Sequence, residues 1–178
     1  MSYNIVLKRL DNQLPNFLTL NEIKAYLRVD SKEDDAILTS LAIAACEKAE
    51  NFMSVNLLER SVKQVVFDVF GSKIKLHQHP VIKVENVLDE NNEVLPNGTW
   101  VFNNNSNNIE FSSEKRSSTM SINYISGFTR SNVSQAIKIG LLEHISSLYD
   151  GQSIDQGIPA SSVDLYSTFR NRRIWRSA

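Results

Sequence analysis

The three histidines are the side chains of this sequence most suited to chemistry near neutral pH. His77 and His79 form an H-x-H pair, and on a β-strand both rings would face the same side, as two ligands of a metal ion do. The sequence places no further histidine or carboxylate to act as a third ligand, and Pro80 follows directly. We therefore expect the pair to lie at a solvent-exposed strand edge without a metal. His144 is expected to be a hydrogen-bonded packing residue.

The remaining candidates for catalysis have simpler explanations. Glu33, Asp34 and Asp35 are adjacent, so that on a helix they point in different directions, and negative charge is favourable at a helix start. The sequence contains no G-x-S-x-G, G-x-G-x-x-G or G-x-x-x-x-G-K motif. Cys46 is the single cysteine, which predicts a small buried apolar residue. We expect no catalytic residue, no metal, no cofactor and hence no enzyme.

One segment has the composition of a binding site. Between positions 169 and 176 the chain has four arginines and two aromatic residues, in a sequence that is otherwise slightly acidic. Arginine beside aromatic residues is typical of protein-binding hot spots and also of nucleic-acid contacts. A solvated basic tail is the third interpretation. The candidate binding residues are Phe169, Arg170, Arg172, Arg173, Trp175 and Arg176.

Length and composition are those of a single globular domain with an appendage. The chain has 178 residues, of which 42% are hydrophobic and 22% charged, with a formal net charge of -1. This charge gives the whole chain no attraction to nucleic acid or to an anionic membrane. No stretch has the roughly 20 apolar residues that cross a bilayer, and the first ten residues do not resemble a signal peptide. We expect a protein of the reducing cytoplasm.

Helical signals lie at both ends of the sequence. Thr19 and Glu22 have the spacing of a capping box and open a predicted helix over 19–29. Apolar residues at helical spacing predict further helices over 31–53 and 132–149. A short last helix from Ser161 to Arg170 should become ordered only against its own domain or another protein, because it is too short to be stable alone.

The middle of the chain, 61–126, alternates short apolar runs with turn residues, which predicts a small antiparallel sheet or sandwich. The segment 103–108 consists of asparagine and serine and is expected to be an exposed loop. The fold class is therefore α+β, a small helical bundle with an inserted antiparallel sheet and a C-terminal tail. The expected organisation is an N-terminal arm over 1–18, a main domain over 19–150 and a partner-binding segment over 151–178.

The order of these motifs resembles the head-to-tail connector (adaptor) proteins of long-tailed bacteriophages. The resemblance starts at Thr19 to Asp30, TLNEIKAYLRVD, and continues with the acidic run and Ala36-Ile37-Leu38. It extends through the strand and proline of Leu76 to Val84 and through Tyr124 to Phe128 before the long helix. It ends on the short basic and aromatic tail.

The resemblance implies a structural subunit of a ring beneath the portal vertex of the capsid, not an enzyme. Such a ring has about twelve copies in the virion, joined by head-to-tail contacts, and DNA passes through its channel without sequence-specific binding. The implied partners are the portal protein, a downstream connector, stopper or tail protein, and further copies of the chain, with no membrane. The implied location is the head–tail interface of the virion, after assembly in the host cytoplasm.

The resemblance also implies that the C-terminal residues named above dock on the portal. The alternative left open by the sequence is a nucleic-acid-binding protein that uses the same basic and aromatic tail. The two functions differ in the salt dependence of affinity for free duplex DNA, which only the second predicts.

Overall fold

The computed structural model describes residues 2–9, 14–151 and 157–170. These ranges contain five strands and four helices, and they divide into two compact units. One unit comprises 1–11 and 59–127, and the other comprises 12–58 and 128–178. The strands are β1 (Ser2–Arg9), β2 (Arg60–Lys75), β3 (Val81–Leu88), β4 (Trp100–Asn103) and β5 (Asn108–Ser126). The helices are α1 (Leu20–Leu27), α2 (Asp35–Met53), α3 (Gln135–Tyr149) and α4 (Ala160–Ser167). The predicted α+β class is confirmed.

The strand unit is built around the long antiparallel pair β2 and β5. Their register runs from Arg60 opposite Ser126 to Lys75 opposite Asn108, with an irregularity between Gly71 and Lys73. β1 pairs with the other side of β2, whereas β3 and β4 pair with opposite ends of β5. The sequence predicted separate short strands here. Because pairing resumes after the irregularity, the predicted strands join into two long ones.

The first residues form a strand, and not the arm that the sequence predicted for 1–18. Residues 2–9 pair with 60–67 in a continuous antiparallel register. Ile5 packs against the core of the sheet, and the ring of Tyr3 stacks on that of His77 with centroids 3.8 Å apart. The segment is too short to show a clear hydrophobic period, and its partner strand lies more than fifty residues away in the chain. The strand could therefore be recognised only from the tertiary pairing.

A buried hydrogen-bond network lies inside the sheet unit. The side chain of Gln64 is fully buried; its amide donates to the carbonyl of Lys75 at 2.7 Å and its carbonyl accepts from the N–H of His77 at 3.0 Å. The hydroxyl of Tyr124 donates to Gln64 Oε1 at 3.3 Å and accepts from the N–H of Gln78 at 3.1 Å. The network therefore fixes the segment that follows β2 to the sheet.

Capping and ion pairs position the helices of the second unit. The predicted capping box is present: the N–H of Thr19 donates to Glu22 Oε2 at 2.8 Å, and the N–H of Glu22 donates to Thr19 Oγ1 at 3.3 Å. Glu22 also pairs with Lys138 of α3 at 2.5 Å. Lys24 pairs with Asp35 at 2.6 Å and so joins α1 to the start of α2. α2 begins at Asp35, four residues after its predicted start.

The last helix orders against its own unit, which was one of the two alternatives left by the sequence. Ser162 Oγ donates to the carbonyl of Gly140 on α3 at 2.9 Å. A Cβ atom at position 140 would lie 2.7 Å from Cε1 of the buried Tyr166, so that only glycine allows this close approach of α3 and α4. Cys46 is buried in the same core, as predicted.

The two fully buried tyrosines provide a matched test of these contacts. Tyr124→Phe should lower the free energy of unfolding by about 1–2 kcal/mol, because it leaves Gln78 N–H and Gln64 Oε1 without this partner. Tyr166→Phe should be neutral or stabilising, because the hydroxyl of Tyr166 is buried without a hydrogen-bond partner among the described residues. Urea unfolding of both variants measures the difference. Equal losses in the two would contradict the network.

Candidate functional site

The described part of the C-terminal segment is anchored on the helical unit. Phe169 is partly buried against the helical core, and the guanidinium of Arg170 lies 5.0 Å from the ring centroid of Phe52. The structure therefore places these two residues at the root of the tail, in contact with their own unit. The other four predicted binding residues lie outside the described residues: Arg172, Arg173, Trp175 and Arg176.

The histidine pair follows the end of β2 and is not part of a strand, in contrast to the predicted strand edge. Both residues are partly buried. His77 stacks on Tyr3, and Nδ1 of His79 lies 3.2 Å from the carbonyl oxygen of His77. The network around Gln64, which sequence reasoning missed, holds this segment. Across the described residues, no three His, Cys, Asp or Glu side chains are grouped so that they could hold a metal ion.

His144 is buried in α3, as predicted for a packing residue, but the predicted hydrogen bond is wrong. Its side chain is fully buried, and neither ring nitrogen has a hydrogen-bond partner among the described residues. Burial lowers the pKa of His144 from 6.5 to about 4, and the charge of Lys48 acts in the same direction. The imidazole is therefore neutral near pH 7 and occupies the core as an apolar ring would.

The acidic residues at the start of α2 are explained by helix geometry. Asp34 occupies the N-cap position without a side-chain capping bond, and Asp35 is held by Lys24. Glu22 has the most strongly lowered carboxyl pKa of those with a shift, at about 2, because the hydrogen bonds from Lys138 and from the backbone N–H of Thr19 stabilise its charged form. A carboxylate held in this charged form is poorly suited to proton transfer near neutral pH.

A shallow depression of about 460 Å³ lies in the helical unit. It offers hydroxyl groups and two carboxylates, with no histidine or cysteine to act as base or nucleophile. Its lining residues are Tyr26, Glu143, Ser146, Ser147, Asp150, Pro159 and Ser161. No helix within the described ranges is long and apolar enough to cross a membrane.

The buried imidazole gives a pH prediction whose sign follows from its lowered pKa. His144 is easier to protonate in the unfolded chain, at about 6.5, than in the folded protein, at about 4. The contribution of the neutral His144 to the free energy of unfolding is therefore fully present above pH 6.5 and is lost as the pH falls towards 4. We expect a loss of about 2–3 kcal/mol in the free energy of unfolding over this range.

The control for this pH effect is His144→Leu, measured by urea unfolding at several pH values. The variant keeps His77 and His79, so that the difference between the two proteins isolates His144. The stability of the variant should decline less between pH 6.5 and 4.5, before most carboxylates titrate. Parallel profiles for the two proteins would contradict the burial argument.

These features define a mixed α+β protein with an antiparallel sheet. Residues 17–96 match the profile of a family described as phage gp6-like head-tail connector proteins. The resemblance stated from the sequence is thereby confirmed over this part of the chain. No protein with a curated function matches the chain.

Solved structures with a similar fold come from gene transfer agent particles. A chain from the neck of an empty particle, computed with C6 symmetry, has a TM-score of 0.73 and 18% identity, with 97% of this chain and 98% of that chain covered. A chain from the neck of a native particle, computed with C12 symmetry, has a TM-score of 0.71 and 16% identity, with 97% and 98% covered.

A chain from the virion of a native gene transfer agent gives a TM-score of 0.70 at 17% identity, with 96% of this chain and 98% of that chain covered. The likeness therefore extends over almost the whole length of both chains. At these identities the likeness shows a shared fold.

Proposed function

We propose that this chain is a structural subunit of a head-to-tail connector ring, which joins the portal to tail components and continues the DNA channel. The observation that carries the proposal is the agreement of two independent similarities. The family match covers residues 17–96, and the fold likeness to neck chains covers 97% of the chain. The symmetric necks from which those chains come favour a closed ring of copies.

The charge of the chain supports the same proposal. The formal net charge is -1, so a channel lined by this protein would pass DNA without strong non-specific attachment. The proposed location is the head–tail interface of the virion, reached by assembly in the host cytoplasm. The proposed partners are the portal protein, a downstream connector or tail protein, and neighbouring copies.

Omission of this protein from particle assembly tests the proposal. We expect heads that are packaged but have no tails, because the component that links the portal to the tail is missing. Negative-stain electron microscopy gives the ratio of tailed to tailless particles, and supplying the wild-type protein in trans should restore tails. Intact tail-bearing particles that lack the chain would refute the connector assignment.

We further propose that the C-terminal residues dock on the portal. Phe169 and Arg170 hold the root of the tail on the helical unit, so that the candidate contacts beyond it are Arg172, Arg173, Trp175 and Arg176. Arginine can form bidentate pairs with carboxylates, and tryptophan is a frequent interface hot spot. The residues before the tail would then position it, and the tail itself would provide the affinity.

A matched pair of variants separates these two roles. Trp175→Ala should leave the melting temperature unchanged but weaken attachment to portal-bearing heads by about 2 kcal/mol or more, the scale of a hot spot. Phe169→Ala should lower the melting temperature, because Phe169 packs on the core of its own unit. Pull-down with portal-bearing heads measures attachment, and differential scanning calorimetry measures stability.

Removal of residues 171–178 gives the complementary result. The shortened protein should remain folded and lose attachment to the heads. If it still joins heads and yields infectious particles, docking lies on another surface. If the wild-type tail instead confers salt-dependent affinity for free duplex DNA, the tail is a nucleic-acid-binding element.

A further inference from the structure

The sheet edge formed by β3 and β4 is protected against pairing with another chain. Register irregularities interrupt β3 between Val81 and Lys83 and again between Val84 and Asn86. The returning chain covers the end of β3, because the N–H of Leu95 donates to the carbonyl of Val87 at 2.8 Å. β4 has only four residues. Irregularities, coverage and short strands are the means by which proteins prevent edge-to-edge association.

The part of β5 between β3 and β4 is covered by a carboxylate. Glu90 Oε2 accepts hydrogen bonds from the N–H of Ser118 at 3.0 Å and from its hydroxyl at 2.9 Å. The hydroxyl of Ser117 also donates to the same oxygen at 3.2 Å. These bonds lower the pKa of Glu90, so the carboxylate stays charged at neutral pH. A strand approaching this edge would have to displace it.

Among the described residues, the opposite edge of the sheet, β1, has neither a register irregularity nor a covering segment. β1 is the terminal strand in the order β1-β2-β5-β3, and its register with β2 is continuous over all eight residues. Its first six residues, Ser2 to Leu7, include neither a charged residue nor a proline. In an antiparallel pair, alternate residues of an edge strand point their N–H and C=O groups away from the partner. β1 therefore presents a regular row of backbone donors and acceptors.

The sheet face beside this edge, on the side away from the core, is apolar in part. Ser2 lies opposite Phe67, and Val6 lies opposite Lys63, so that the side chains of these four residues share one face. Ile5, which packs into the core, points to the other face. On the outer face Val6 is 55% exposed and Phe67 is 38% exposed. An open edge with exposed apolar side chains is a surface suited to strand addition.

We propose that the β1 edge, with Val6 and Phe67 beside it, binds an extended segment of a second copy of this chain and thereby continues the sheet. The inference rests on the proposed function, because a ring requires each copy to contact two neighbours. Each contact in a ring must also join two different surfaces of the chain. Pairing of β1 with β1 would instead give a closed dimer that cannot add further copies. The symmetric necks from which the similar chains come favour a second copy as the occupant of this edge.

Photo-cross-linking in assembled particles identifies the occupant directly. A benzophenone amino acid replaces Val6 in one protein and Val101 in the control. Val101 is the same residue type, is 65% exposed and lies on the protected side, in β4. After irradiation of purified particles, position 6 should give a product near twice 20.2 kDa that contains only this chain, and position 101 should not.

A second pair of variants tests the energetic role of the edge. Val6→Glu should keep the wild-type melting temperature, since Val6 is exposed and lies opposite Lys63, but should reduce the amount of the chain in particles at least tenfold. Val101→Lys should assemble as the wild type does. Mass spectrometry of purified particles gives the copy number relative to the capsid protein.

The outcomes separate this inference from the proposed function. If the wild-type chain is absent from particles, the proposed function fails, and the inference fails with it. If the wild type is present, the inference alone is overturned by any of three results. These are a position-6 product that contains a portal or tail protein, no position-6 product, or equal assembly of Val6→Glu and Val101→Lys, each of which faces an opposite charge.

Discussion

The side chain of Glu50 holds the point at which the helical unit is interrupted by the strand unit. It is 7% exposed, and its Oε1 accepts from the N–H groups of Leu57 at 2.7 Å and Leu58 at 2.9 Å. The carbonyl of Leu57 accepts from the N–H of Phe128, where the chain returns, at 3.4 Å. The buried carboxylate of Glu50 thus fixes the segment in which the chain leaves the helical unit. A backbone hydrogen bond joins this segment to the one in which the chain returns. A two-part unit needs such a point, because 12–58 and 128–178 must share one core.

Both units bury some polar groups that have hydrogen-bond partners, such as Gln64 and Glu50, and others that have none among the described residues. In the strand unit, Gln64 and Tyr124 satisfy each other and the adjoining backbone, so the polar groups determine where the chain after β2 runs. In the helical unit, the rings of His144 and Tyr166 are buried without hydrogen-bond partners among the described residues. The loss of hydration of these polar atoms lowers the free energy of unfolding. The apolar packing of α2, α3 and α4 must compensate for this loss.

The asymmetry of the sheet edges connects stability with assembly. On the β3 and β4 side, register irregularities, the returning chain and the Glu90 carboxylate prevent further pairing. Among the described residues, β1 has a continuous register and no such cover. A protein that remained alone would gain from protecting both edges. For a proposed ring subunit, one open edge is useful, because it gives association a direction along the ring.

The sequence alone determined the features that depend on local spacing. The capping box of Thr19 and Glu22, the helices near their predicted ranges, the burial of Cys46 and the α+β class all follow from residues close in the chain. The order of those motifs carried the resemblance that the family match over 17–96 confirms. Local signals suffice there because helix capping and periodicity involve neighbours within one or two turns.

Only the tertiary structure decided the features that join distant residues. The strand β1 exists because 60–67 offer it a partner, and β2 and β5 are long because each supports the other through an irregularity. The roles of Glu50 and Gln64 are equally invisible in the sequence, since a buried side chain acquires its hydrogen-bond partners from wherever the fold brings the backbone. Among the described residues His144 has no hydrogen-bond partner, and the reason is the same, because packing from other helices decides whether a histidine meets an acceptor or apolar side chains.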